Sequence, residues 1–274
     1  MVPEHLAPGD AKSLEADWSR IERHDIRDTT DPFFDMAFGA LWAEFGVIGE
    51  MEQAAVLARR LKWNPLETRE GASLRYSLVL LTCGNEFVAV RDHTVIVLED
   101  QPGATVHLSH NLVAPHWRRT GIAGWMRALP VSDAKECLQM LGRPMDSPVT
   151  LVGEMEHLHP ERPSTLVRLT AYEKAGFQMV DPARVNYLQP DFRDPAEIDI
   201  SGGPQPVPLC LVLRRVGQET EKTLDACEVH RVARSLYKMY GMEFRERDMR
   251  VVLDSLEAYP RSGERIDLIS PTRA

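Results

Sequence analysis

The chain is poor in cysteine, in aromatic residues and in long apolar runs, and it carries no surplus of positive charge. Each shortage removes a class of reading. Its four cysteines, Cys83, Cys137, Cys210 and Cys227, stand far apart, with no Cys-x-x-Cys pair. That spacing argues against a disulfide framework or a zinc ribbon. The apolar context of each reads as a reduced core thiol in a cytoplasmic protein. The longest apolar stretches, such as Ser77 to Leu81 and Val207 to Leu213, fall far short of the roughly 20 residues that a spanning helix needs. The N-terminal residues are charged and lack an apolar core of signal-peptide length, so a soluble protein with no membrane partner is expected. Lys and Arg number 32 against 41 Asp and Glu, a net charge of −9. Such a surface is a poor nucleic-acid binder and is friendly to cationic partners such as amines.

Several motifs are also missing. There is no Gly-x-x-x-x-Gly-Lys-Ser/Thr loop, no Gly-x-Gly-x-x-Gly fingerprint and no Gly-x-Ser-x-Gly elbow, which argues against P-loop, dinucleotide and α/β-hydrolase chemistry. His157-x-His159 is the one pair with a metal-like look. No third ligand stands at a recognisable spacing, and no metal is expected.

What is present is a chain of 274 residues with 43% hydrophobic residues, enough for a substantial core. Residues 1–30 are polar and weakly periodic, with a short helix predicted over Ala11 to Arg23. Asp31-Pro32 reads as a helix start. Phe34, Ala37, Phe38, Leu41, Trp42 and Phe45 then share one face, and a second helix is predicted over Glu50 to Leu61. Tyr76 to Thr82, Phe87 to Val90 and Thr94 to Leu98 read as strands, with Arg91-Asp92 as a turn or bulge. Further strands are predicted at Thr105 to Val113, Val149 to Glu156, Val185 to Leu188 and Val207 to Val216. Thr223 to Tyr240 and Phe244 to Leu256 each carry an amphipathic stripe.

The richest segment runs from Leu112 and Val113 through Arg118, Arg119, Thr120, Gly121, Ile122, Ala123 and Gly124. It reads as a strand passing through a basic, glycine-containing turn into a helix that carries Trp125, Met126 and Leu129 at helical spacing. A turn of this kind points several unpaired backbone N–H groups the same way. The positive end of the helix dipole adds to them, and the natural occupant is a phosphate. Gly121 would let the ligand approach the backbone, and Ala123 and Gly124 would keep the first turn uncrowded. Farther along, Thr165 to Phe177 reads as a helix closed by Gly176, with Tyr172 and Lys174 in its last turn.

The Arg-x-x-Gly-x-Ala pattern and the later Tyr-x-Lys-x-Gly-Phe pattern, in this order, resemble the two signatures of the GNAT N-acetyltransferase superfamily. The resemblance covers roughly residues 31–216. It implies an α/β (α+β) fold, with a central mixed, mostly antiparallel sheet flanked by helices. The implied organisation is an N-terminal extension over 1–30, an acyltransferase domain over 31–217 and a C-terminal helical extension over 218–274. The extension is read as a hairpin that packs on the core, covers a sheet edge or joins a homodimer.

The resemblance further implies acetyl-CoA as acyl donor and a small-molecule amine or peptide as acceptor. Its pyrophosphate would lie along Arg118 to Gly124, with Leu112 and Val113 beside it. Tyr172 would give a proton to the leaving sulfur, since a phenol is protonated at pH 7. A carboxylate on the preceding strand, Glu154 or Glu156, would take the proton of the amine. Alternation places these two on one strand face. Thr165 stands where the superfamily commonly has an asparagine that contacts the pantetheine arm. The competing reading is a GNAT-like fold that binds acyl-CoA without turnover, as a sensor or interaction module. Neither reading names the acceptor.

Overall fold

The computed structural model describes residues 2–46, 49–158 and 163–273, and side chains of the last stretch from 165 onward. The chain forms two compact units, 1–147 and 148–274.

The first unit is built on four strands, β1 (Glu22–Ile26), β2 (Ala72–Cys83), β3 (Glu86–Leu98) and β4 (Ala104–Val113). They pair in chain order, each antiparallel to the next. Gly84, at φ +59°, supplies the positive φ that the two-residue loop between Cys83 and Glu86 requires. Helices α1 (Phe34–Phe45) and α2 (Ala54–Arg60) lie between β1 and β2 in sequence, and α3 (Ile122–Met140) follows β4. β3 is buried at nearly every position, so both of its faces are covered, and α1 and α3 both pack on it. Val79 and Leu81 of β2 meet Ile122, Met126 and Leu129 of α3 in one cluster, where strand period and helical period coincide. That cluster anchors the start of α3.

The second unit contains β5 (Val149–Met155), α4 (Pro163–Lys174), β6 (Gln178–Val180), β7 (Tyr187–Gln189), α5 (Pro195–Ile200), β8 (Val207–Arg215), β9 (Thr223–Asp225), α6 (Ala226–Gly241), α7 (Glu246–Ser255) and β10 (Arg265–Ile269). Its strands run in the order β5-β8-β6-β10-β9, with β7 also on β8, and every pair is antiparallel. β8 is the organiser: Leu213 faces both Val152 and Gln178, and Leu209 faces Tyr187. Gly176, at φ +78°, closes α4 as the sequence suggests. Asp225 caps α6 by accepting from the Cys227 N–H at 2.9 Å.

The α/β architecture with a mostly antiparallel sheet and flanking helices is therefore as expected, while several local readings change. The predicted helix over Ala11 to Arg23 is a 3-10 helix at Pro8–Glu15 followed by β1, which joins the sheet through β2. Helix α1 starts at Phe34, not at Asp31-Pro32, because the Asp31 carboxylate turns to the Phe33 N–H at 2.9 Å. Helix α2 is shorter than Glu50 to Leu61, starting only at Ala54. The two predicted strands Phe87 to Val90 and Thr94 to Leu98 are one strand, and Arg91-Asp92 lies at a bulge between Asp92 and His93. The segment read as the start of a C-terminal helix is β9, and β10 adds a strand beside it.

The bulge at Asp92 serves a buried polar cluster. Asp92 accepts from the Tyr76 hydroxyl at 2.9 Å, the His110 N–H at 2.8 Å and His110 Nδ1 at 2.9 Å. His110 Nε2 donates to the Glu50 carbonyl at 3.0 Å. Burial opposes both charges, yet the Asp92 charge lifts His110 to about 9, and the His110 charge and hydrogen bonds hold Asp92 at about 2. The Asp92 carboxylate thus favours the imidazolium form of His110 at neutral pH.

The pair sets a pH dependence. His110 contributes fully below its ordinary 6.5, and this contribution drains away as pH rises through about 9. Asp92 contributes above its ordinary 3.8 and loses that contribution as pH falls towards about 2. Stability to urea should therefore decline between pH 6.5 and 9. Asp92→Asn should flatten that decline and cost about 3–5 kcal/mol at pH 6, because it leaves a buried imidazolium unpaired. A wild-type profile that stays level up to pH 9 would contradict the ion pair.

Candidate functional site

In the first unit β4 ends at Leu112 and Val113, paired with Val90 and Ala89. A single 3-10 turn, Pro115–Trp117, redirects the chain. Arg119 follows at φ +67° and Gly121 at φ +91°, both left-handed, and α3 begins. A non-glycine residue in this region is uncommon and costs on the order of 1–2 kcal/mol. Here it turns the backbone into the helix start. Gly121 at the N-cap of α3, a helix of 19 residues, brings no capping side chain, and among the described residues no side-chain cap is seen there. Arg118, Arg119 and Thr120 are exposed. The Arg118 guanidinium folds back, its Nε donating to the Val113 carbonyl at 3.1 Å, and the Thr120 hydroxyl donates to the Trp117 carbonyl at 2.6 Å. Both side chains brace the loop, which leaves its outer edge to backbone donors and to Arg119.

The glycines have a second task that the sequence hides. The N-terminal 3-10 segment lies against the start of α3. Ser13 Oγ donates to the Gly121 carbonyl at 2.6 Å, and the Ser13 carbonyl accepts from Trp125 Nε1 at 2.5 Å. Asp10 accepts from Arg127 at 2.5 and 3.0 Å. A Cβ on Gly121 would stand 2.6 Å from the Lys12 carbonyl oxygen, and one on Gly124 would stand 2.1 Å from Ser13 Oγ and 2.8 Å from Asp10 Cβ. Room expected for a ligand at Gly121 and Gly124 is taken, on this flank, by the chain's own residues 12 and 13. Ile122 is buried in the core, and Ala123 packs against the same cluster.

In the second unit Glu154 is the last carboxylate on β5. Its Oε1 accepts from the Tyr187 hydroxyl at 2.6 Å and its Oε2 from the Tyr240 hydroxyl at 2.5 Å. Tyr187 stands on β7 and Tyr240 on α6, and both are buried. Tyr187 stacks on Tyr237, with ring centroids 5.5 Å apart, and the Tyr237 hydroxyl donates to the Leu188 carbonyl at 2.9 Å. Burial, and then the negative charge of Glu154, push the Tyr187 phenol well above its usual range. It stays a donor.

Glu156 behaves differently. β5 stops at Met155, so the strand alternation that would put Glu156 beside Glu154 does not reach it. Glu156 turns to α4, where Oε2 accepts from the Thr165 hydroxyl at 3.0 Å and from Arg168 at 3.1 Å. Thr165 and Arg168 sit one turn apart on the same helix face. Thr165 is 0% exposed, and its hydroxyl is committed to Glu156.

Tyr172 on α4 is half-buried. Its ring meets Phe177 edge-on at 4.8 Å and passes 3.8 Å from where a Cβ on Gly153 would stand, so Gly153 is the notch on β5 that admits the ring. Among the described residues the Tyr172 hydroxyl has no hydrogen-bond partner. The structure thus groups Glu154 with two tyrosines, Tyr187 and Tyr240, that the sequence did not assign to it.

Cys210 Sγ lies 3.2 Å from His157 Nδ1. Burial pushes its thiol up to about 11, which keeps it protonated rather than nucleophilic. His159 lies outside the described residues. Among those described, no group of three or more His, Cys, Asp or Glu side chains is placed to hold a metal ion. No described helix is long and apolar enough to cross a membrane.

The chain matches no protein-family model, and no curated protein matches it. It is similar to solved structures of acetyltransferases. One is an aminoglycoside acetyltransferase from an uncultured soil metagenomic sample, in complex with trehalose, at 12% identity over 56% of this chain and 87% of that one, TM-score 0.36. Another is an aminoglycoside 6'-N-acetyltransferase complexed with coenzyme A, at 12% identity over 71% and 97%, TM-score 0.37. A third is the ribosomal-protein-S18-alanine N-acetyltransferase from Escherichia coli, at 13% identity over 72% and 94%, TM-score 0.34. Likeness at this level assigns no reaction to this chain.

The packing on α3 can be tested directly. Gly124→Ala should cost about 1–3 kcal/mol in urea unfolding, as an overpacked contact does. Adding Ser13→Gly should recover part of the loss. If Gly124→Ala were as stable as wild type, residues 10–13 would not rest on this turn.

Proposed function

We propose that this protein is an acyl-CoA-dependent N-acyltransferase, with acetyl-CoA as the donor and a primary amine as the acceptor. The observation that carries the reading is the start of α3. A 19-residue helix begins without a side-chain cap, behind a loop held in left-handed conformations at Arg119 and Gly121. Backbone donors at such a start favour an anion, and the dipole of a long helix adds to them. The pyrophosphate of a coenzyme A thioester fits these donors, with exposed Arg119 beside them. The two sequence signatures support the same donor.

The chemistry follows from the second unit's residues. The amine nitrogen attacks the thioester carbonyl carbon, and the carbon–sulfur bond breaks. The nitrogen must shed a proton and the departing sulfur gains one. Glu154, a carboxylate with two phenol donors, is the group that accepts the proton from nitrogen. Tyr172, whose hydroxyl is uncommitted among the described residues, is the group that donates to sulfur. Glu156 is tied to Arg168 and Thr165 and is assigned a structural role. Direct transfer in a ternary complex needs no covalent enzyme intermediate, and the protonated Cys210 thiol suits that.

Release of free coenzyme A thiol from acetyl-CoA, followed across a panel of primary amines, tests the reading. Wild type should release thiol with at least one amine. Tyr172→Phe should lower kcat about 100-fold, and Glu154→Gln by about as much or more, as the loss of a positioned acid or base does. Amine-dependent release that both variants retain in full would remove these two residues from the chemistry.

A further inference from the structure

The second unit holds a carboxylate clamp whose one arm, Tyr240, comes from beyond the part of the chain that carries the two signatures. Glu154 is half-buried, and each of its oxygens receives one phenol hydroxyl, Tyr187 at 2.6 Å and Tyr240 at 2.5 Å. The two tyrosines reach it from different directions. Tyr187 comes from β7, pinned to β8 opposite Leu209. Tyr240 comes from the last turn of α6 and is 1% exposed. Both rings are held by neighbours rather than by the carboxylate alone. Tyr187 stacks on Tyr237 of the same helix at 5.5 Å, and Tyr240 meets Phe192 at 5.5 Å and Phe244 at 5.9 Å. A carboxylate that receives a donor on each oxygen loses rotational freedom about its own axis and favours its charged form.

We propose that Tyr187 and Tyr240 are positioning residues that clamp Glu154 as an oriented, ionised carboxylate, so that α6 is part of the functional site and not merely a cap on the sheet. This rests on the transferase reading for its catalytic meaning, but the clamp itself does not. A fixed anion of this kind serves an amine twice. It holds the incoming ammonium in place, and it then stands ready for the proton that the nitrogen sheds. Titratable groups that bear on Glu154 include Tyr187 from β7 and Tyr237 and Tyr240 from α6. From β8 its register neighbour is the apolar Leu211. The acceptor is therefore handled by residues of the C-terminal helix as well as by β5.

Two readouts on the full-length protein separate the clamp from the reaction. The first is the titration of the Glu154 side-chain carboxyl carbon by NMR in glutamate-labelled protein, assigned with Glu154→Gln. Tyr240→Phe keeps the ring and removes one donor, and Tyr187→Phe is the second variant should the first fold poorly. Each should raise the proton affinity of Glu154 about tenfold or more, the worth of one hydrogen bond to a charged group. The second readout is the pH profile of amine-dependent thiol release. Its acidic limb should move to higher pH in Tyr240→Phe, with the high-pH plateau of kcat changed less than kcat at pH 6. A purely structural role for Tyr240 would lower the plateau without moving the limb. If the carboxyl titration is the same in both phenylalanine variants as in wild type, the clamp is overturned. If the titration shifts while wild type transfers no acyl group to any amine, the clamp stands and the transferase reading falls.

Discussion

Among the described residues no side chain caps the start of α3, and much of the first unit is arranged around that helix start. Buried backbone donors must find partners, and donors left at a helix start must face water or a ligand. β4 delivers the chain to this point and a 3-10 turn redirects it. Arg119 and Gly121 take left-handed conformations to bring the helix in at the required angle. Ile122, Met126 and Leu129 lock the helix to β2 and β3, so the donors cannot drift. The N-terminal segment then packs along one flank, through Ser13 and Asp10, and leaves Arg118 to Thr120 exposed. The result is a helix start anchored in the core, with one side walled by the chain itself.

The second unit solves a different problem, that of keeping a charged carboxylate where solvent is scarce. Each oxygen of Glu154 accepts from a phenol, a neutral donor that holds the carboxylate without cancelling its charge. Glu156, close by in sequence, is instead paired with Arg168. The contrast distinguishes two carboxylates that the sequence left equivalent. It also ties the C-terminal helix to Glu154, since the donor on Oε2 belongs to α6.

What the sequence made legible was local. The loop could be read because strand, basic turn, glycine and amphipathic helix follow one another without interruption, and each leaves its own periodic or conformational mark. The closing glycine of α4 was legible for the same reason. Contacts between distant segments were not. Nothing in residues 8–15 announces that Ser13 will rest on Gly124, and the two glycines looked like space for a ligand alone. The stripe over Thr223 to Tyr240 marked an amphipathic helix but not that Tyr240 meets Glu154. Glu156 was misplaced because alternation has no stop signal, and the strand ends one residue earlier, where Thr165 and Arg168 draw the side chain towards α4. Short strands such as β9 and β10 carry too few residues to show a period.

Whether the start of α3 binds the pyrophosphate of an acyl-CoA can be read by calorimetric titration with acetyl-CoA, with Thr120→Asp alongside wild type. Thr120 is exposed, and its substitution places an anion at the loop. The account requires that wild type bind with micromolar affinity, roughly −8 kcal/mol, and that the variant bind at least tenfold more weakly. Equal binding by the two proteins would place the coenzyme elsewhere. No binding of acetyl-CoA, free CoA or longer acyl-CoAs by a folded wild type would contradict the account outright.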